Sequence, residues 1–108
     1  DRTVDRFVTV LRQKIERNGG MNFPKLIGER ARIDPLVSVA VRSDGSIEDV
    51  TIIRSSGRQD TDDAVRLIVR LNALYSKFPP NIASRYDVIE IRRIWTFDQV
   101  LKLIEEVR

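Results

Sequence analysis

The sequence predicts an α+β fold: helices packed on a three-stranded antiparallel sheet of order 2-1-3, with an additional C-terminal helix. Three observations carry the prediction. The apolar period changes from about 3.6 residues to about 2 near Val37. An Asp44-Gly45 pair then joins two β-rich runs, and a third such run, Tyr86 to Phe97, follows a helical segment. A chain of 108 residues suits one domain, read as a leading helix over 1–20, a core over 21–97 and a closing helix over 98–108.

The first helix is read from Val4, Phe7, Val8, Leu11 and Ile15, which share one face, with Arg12 and Glu16 paired at i,i+4 on the other. Asn18-Gly19-Gly20 is expected to stop it, and Pro24 to Arg30 to form a helix of one or two turns. Val37, Val39 and Val41 alternate with Ser38, Ala40 and Arg42, a strand with one buried face. After the turn at Ser43–Ser46, a return strand runs from Ile47 to about Arg54, and Ile53 interrupts its alternation, which predicts a bulge. The second helix begins near Asp60 and places Ala64, Leu67, Ile68, Leu71, Leu74 and Tyr75 on one face. Phe78-Pro79-Pro80 ends the helical stretch, because proline lacks the donor and disfavours helix before it. In the tail, Asp98 reads as a cap, with Val100, Leu101, Ile104 and Val107 on one helical face.

Composition removes several function classes. With no histidine and no cysteine, a Ser-His triad, a thiol nucleophile and a zinc site of nitrogen and sulfur ligands are all excluded. No catalytic residue, metal ligand or cofactor site is expected, and the chain reads as a non-enzyme. Asp60, Asp62 and Asp63 lack the glycine and closing glutamate of a calcium loop and suit a helix's first turn, with Asp62 and Asp63 reaching Arg66. Ser55-Ser56-Gly57 has no base to activate it and reads as a turn. Net charge is +3, but the arginines are interleaved with acids, which argues against nucleic acid as a partner. No apolar run is long enough to span a membrane. The only methionine is Met21, so a fragment of a longer protein is expected, with any anchor upstream.

The last strand is the informative element. Its pattern alone favours simple packing on the helices, the tail helix covering its edge, over addition of a partner strand along that edge.

The ordered set Met21-Asn22-Phe23-Pro24, Val37–Val41, Asp44-Gly45, Val50–Ile53, Arg54-Ser55-Ser56-Gly57, Asp62-Asp63-Ala64, Phe78-Pro79-Pro80 and Tyr86 to Trp95-Thr96-Phe97 resembles the TonB C-terminal domain family. It spans roughly three quarters of the chain. The resemblance implies a periplasmic interaction domain of an inner-membrane-anchored transducer. Such a domain pairs with a segment of an outer-membrane transporter and draws on an inner-membrane proton-channel complex through upstream sequence. The implied partner-binding residues are Tyr86, Asp87, Val88, Ile89, Glu90, Ile91, Arg92, Arg93 and Ile94, with Arg92 and Arg93 open to acidic side chains. Proline at Ile89 or Ile91 is expected to abolish that pairing. A TolA-like envelope role, a small nucleic-acid-binding domain and a homodimer stay open as alternatives.

Overall fold

A computed structural model describes residues 1–28, 33–72 and 77–107. The elements run α1 (Arg2–Leu26), β1 (Leu36–Arg42), β2 (Ile47–Arg54), α2 (Gln59–Leu71), α3 (Pro80–Ala83), β3 (Val88–Phe97) and β4 (Leu101–Ile104). All sheet pairings are antiparallel and the strand order is β2-β1-β3-β4. The α+β class is as expected, but the sheet has four strands, not three. Val37, Val39, Val41, Ile89, Ile91, Trp95, Leu101 and Leu103 join Leu11, Ile15, Val65, Ile68 and Val69 in one core, so the helices cover one sheet face.

The hairpin follows from local chemistry. Gly45 takes φ 88°, a left-handed conformation that a side chain disfavours, and its N–H donates to Arg42 O at 2.8 Å. β2 carries a bulge at each end. Leu36 faces Arg54 while Val37 faces Ile52, leaving Ile53 as the extra residue the alternation predicted; Glu48 is skipped in the same way.

α1 does not stop at Gly19-Gly20 but continues to Leu26 with Pro24 inside it. The buried series Leu11, Ile15, Gly19 and Phe23 keeps one face toward the core, and that burial overrides the local stop signal. Gly19 acts by close approach: a Cβ there would lie 2.5 Å from Leu101 Cδ2 and 2.8 Å from Ile68 Cγ2. Pro24 removes one donor only near the helix end. Arg30, the last residue of the short helix expected there, lies outside the described residues.

The second correction is the tail. Residues 98–108 were expected to add a helix, yet Leu101–Ile104 form β4 beside Ile94–Phe97. Leu101 and Leu103 are both 3% exposed, whereas Val100 and Val107, assigned to the helical face, are 56% and 99% exposed. The upper end of β3 offered an unpaired ladder, and pairing there satisfies backbone groups that an isolated short helix leaves to water.

α2 turns by about one residue from the expected face: Ala64 and Ile68 are buried with Val65 and Val69, while Leu67 and Leu71 are exposed. Leu74 and Tyr75 lie outside the described residues. Asn72, at the helix end and buried, accepts from Asn18 Nδ2 at 2.9 Å and donates to Ile68 O, tying α2 to α1.

Candidate strand-pairing site

Of the residues expected to bind a partner, Val88 through Ile94 lie on β3. Tyr86 and Asp87 precede it. Tyr86 donates its N–H to Ile82 O, and the Arg85 guanidinium lies 5.4 Å from its ring centroid. Asp87 accepts from Ser43 N–H at 2.9 Å, which carries the β1 pairing one residue below β3.

Register decides which backbone groups of β3 are available. At the strand's two ends, Asp87 O accepts from β1's extension and Trp95 N–H donates to Pro35 O at 3.0 Å. Odd-numbered residues therefore turn their N–H and C=O toward β1, Ile89, Ile91 and Arg93 included. Val88, Glu90, Arg92 and Ile94 turn theirs to the opposite edge. There Ile94 to Phe97 meet β4, but the ladder ends at the Ile94–Ile104 pair, and among the described residues no strand of the sheet lies beyond Val88 and Glu90. Substituting proline at Ile89 or Ile91 would therefore break the β1 ladder. The positions that test the open edge are Val88 and Glu90.

The side chains alternate accordingly. Ile89 and Ile91 enter the core, while Val88, Glu90, Arg92 and Ile94 stand on the face away from the helices. Ser38 Oγ donates to Glu90 Oε1 at 2.6 Å, fixing that carboxylate over the sheet. Arg93 Nη1 donates to Arg92 O at 2.8 Å, so one edge carbonyl is capped by its own neighbour. Glu90, Arg92, Arg93, Glu105 and Glu106 together line a shallow charged groove where β4 ends.

The covered end is closed more firmly. Leu103 N–H, on the far side of β4, donates to Glu16 Oε2 at 2.8 Å, and Arg12 Nη1 holds the same carboxylate at 2.9 Å. A helix carboxylate thus ends the sheet where another strand would otherwise pair. Sequence reasoning identified the Arg12–Glu16 pair but not this role, because β4 itself was not foreseen.

The acidic cluster is structural. Asp62 is partly buried, which opposes ionisation, yet donors from Ser55 and Ser56 hold its carboxyl below the ordinary range. Asp60 is lowered to about 2 by the Arg58 guanidinium, the Gly28 N–H and the Thr61 N–H. It ties the approach to β1 to the start of α2. Asp63 pairs with Arg66 at 3.2 Å, whereas Asp62 turns to the serines; Arg66 adds only a charge effect there. Among the described residues, no group of three or more carboxylates is placed to hold a metal ion, and no helix is long and apolar enough to cross a membrane.

A four-stranded sheet with helices on one face, an Asp-Gly hairpin and a half-covered last long strand now stand together. The sequence model of the TonB C-terminal family matches residues 4–92. The chain belongs to the TonB C-terminal family. The match takes in α1 from Val4, the hairpin, α2, α3 and β3 as far as Arg92, and β4 lies beyond it. TonB C-terminal domains are in general periplasmic, act in energy-coupled transport and interact with outer-membrane transporters. Searches of curated proteins and of solved structures returned no match.

Proposed function

We propose that this TonB C-terminal domain is a non-catalytic interaction module that couples inner-membrane proton-motive force to outer-membrane transporters. It would do so by accepting a transporter segment as an added strand along Val88–Ile91. One observation carries the reading: in a domain of this family, β3 has ten residues and β4 covers only its last four. Strand addition uses main-chain hydrogen bonds for affinity and alternate side chains for selectivity, which suits a chain without histidine or cysteine. Several bonds side by side would share a pulling load along the strand. The basic residues favour this reading over nucleic acid, since Arg12, Arg42, Arg58, Arg66, Arg85, Arg92 and Arg93 each face a carboxylate.

These 108 residues hold no cysteine, so a label can be placed at one position of the domain. A Glu90→Cys substitution in the full-length protein, with any cysteine outside these residues replaced by serine, carrying a short photo-crosslinker, is expected to capture an outer-membrane transporter in isolated envelopes. Thr51→Cys, on the bulged β2, is expected to capture none. Capture from Thr51→Cys equal to that from Glu90→Cys, or none from Glu90→Cys, would overturn the reading.

A further inference from the structure

The ladder between β3 and β4 ends at the Ile94–Ile104 pair, and past it side chains still join the two segments, Arg93 to Glu105 and Arg92 to Glu106. Arg92 holds Glu106 through two nitrogens, Nε at 2.5 Å and Nη2 at 3.5 Å, whereas the link from Arg93 Nη2 to Glu105, at 3.4 Å, is weakly built. Glu105 is 80% exposed, Ile104 already stands half in solvent and Val107 almost wholly so, and exposed ion pairs are screened by salt. Arg93 is also incompletely satisfied: its Nε is buried and, among the described residues, has no hydrogen-bond partner. A guanidinium favours a carboxylate held by two nitrogens at once, and the long contact to Glu105 is not that arrangement.

We propose that Glu105 and Glu106 occupy the position of the partner strand, and that the partner is an extended peptide with two consecutive acidic residues that displaces them from Arg92 and Arg93. The incoming acids take the two guanidiniums, and the following four residues run antiparallel to β3 past Ile91 to Val88. Charge complementarity selects the segment, and the backbone groups of Val88 and Glu90 then hold it. β4 itself stays in place, because Leu101 and Leu103 are buried and Glu16 caps Leu103. This proposal rests on the strand-pairing reading above and adds to it the chemistry of the partner and a competitor within the chain.

The test uses two labelled synthetic peptides, Glu-Glu-Val-Thr-Val-Thr and Lys-Lys-Val-Thr-Val-Thr, titrated by fluorescence polarisation against the whole chain. A second series uses the double variant Glu105→Gln, Glu106→Gln, with amide exchange at Val88 and Glu90 followed in both. The acidic peptide is expected to bind more tightly than the lysine peptide. Its affinity should rise about three-fold to ten-fold in the double variant, and that gain should shrink in about 0.5 M salt. Equal affinity for the two peptides would overturn the acidic specificity. If the acidic peptide slows exchange at Val88 and Glu90 but binds the double variant no better, the competitor role fails while strand pairing stands. If neither peptide slows exchange at those two amides in either protein, strand pairing fails with it.

Discussion

The two ends of β3 share one edge of the sheet and meet opposite conditions along it. From Ile94 to Phe97 the edge is paired to β4, whose Leu101 and Leu103 enter the core, and Glu16 closes the strand beyond. At Val88 and Glu90 the same edge has no neighbouring strand among the described residues, Val88 is 38% exposed, and the Glu105 and Glu106 side chains reach toward the junction. Their composition differs little; both ends alternate β-branched or aromatic residues with polar ones. What separates them is whether a neighbour can bury a side chain while it pairs the backbone. An edge covered with burial behaves as structure, and an edge left uncovered is available to a partner.

The largest effect should come from emptying the covered end. Trp95, 1% exposed and packed near Phe97, is expected to cost about 3–5 kcal/mol when replaced by alanine, read as a fall in the urea midpoint. A cost below about 1 kcal/mol would mean that this end is not the anchored one. Next in size is Glu16→Ala, which leaves Leu103 N–H without its acceptor. A loss of about 1–3 kcal/mol is expected, with faster amide exchange at Leu103 and a wider open edge on β3. Should Leu103 exchange be unaltered, the cap would have no bearing on β4.

Two neighbouring glycines sharpen the same contrast. Gly19→Ala crowds Leu101 and Ile68 and should destabilise by about 1–2 kcal/mol, overpacking outweighing the better helix propensity. Gly20, which has open space around it, should gain about 0.5–1 kcal/mol as alanine. Thermal unfolding of the two variants in parallel gives opposite signs if α1 holds β4 at Gly19, and equal signs if it does not. The smallest effect concerns the frame on which both ends rest. Asp60 is lowered from 3.8 to about 2, so its contribution is present above the ordinary value and is lost as pH falls through about 2. Asp60→Asn should flatten the decline of thermal stability between about pH 4 and pH 2, leaving the difference between the ends of β3 unaltered. An undiminished decline would remove Asp60 from the frame.

Much of this architecture was legible where a local rule and the tertiary need coincide. The Asp44-Gly45 turn, the period of β1 and the bulge at Ile53 all follow from residues adjacent in sequence. Legibility failed where two periods fitted one short run. Val100, Leu101, Ile104 and Val107 satisfy a helical spacing as well as Leu101 and Leu103 satisfy a strand, and the choice is made by the unpaired end of β3. Gly19-Gly20 failed for a related reason: what reads locally as a stop is the point where α2 and β4 press against α1. Within the site, the stretch of β3 could be read from its residues, but the parity of its backbone could not. Side-chain alternation along Val88–Arg93 is visible in sequence, whereas the edge each N–H faces depends on pairing with β1.

That parity offers the most direct measurement. Amide hydrogen exchange along β3 in the free chain is expected to alternate, slow at Ile89 and Ile91, which bond to β1, and fast at Val88 and Glu90. With the acidic hexapeptide bound, Val88 and Glu90 should slow toward the rate of their neighbours while Ile89 and Ile91 stay as they were. Uniformly slow exchange in the free chain, or Val88 and Glu90 still fast at saturating peptide, would contradict the account.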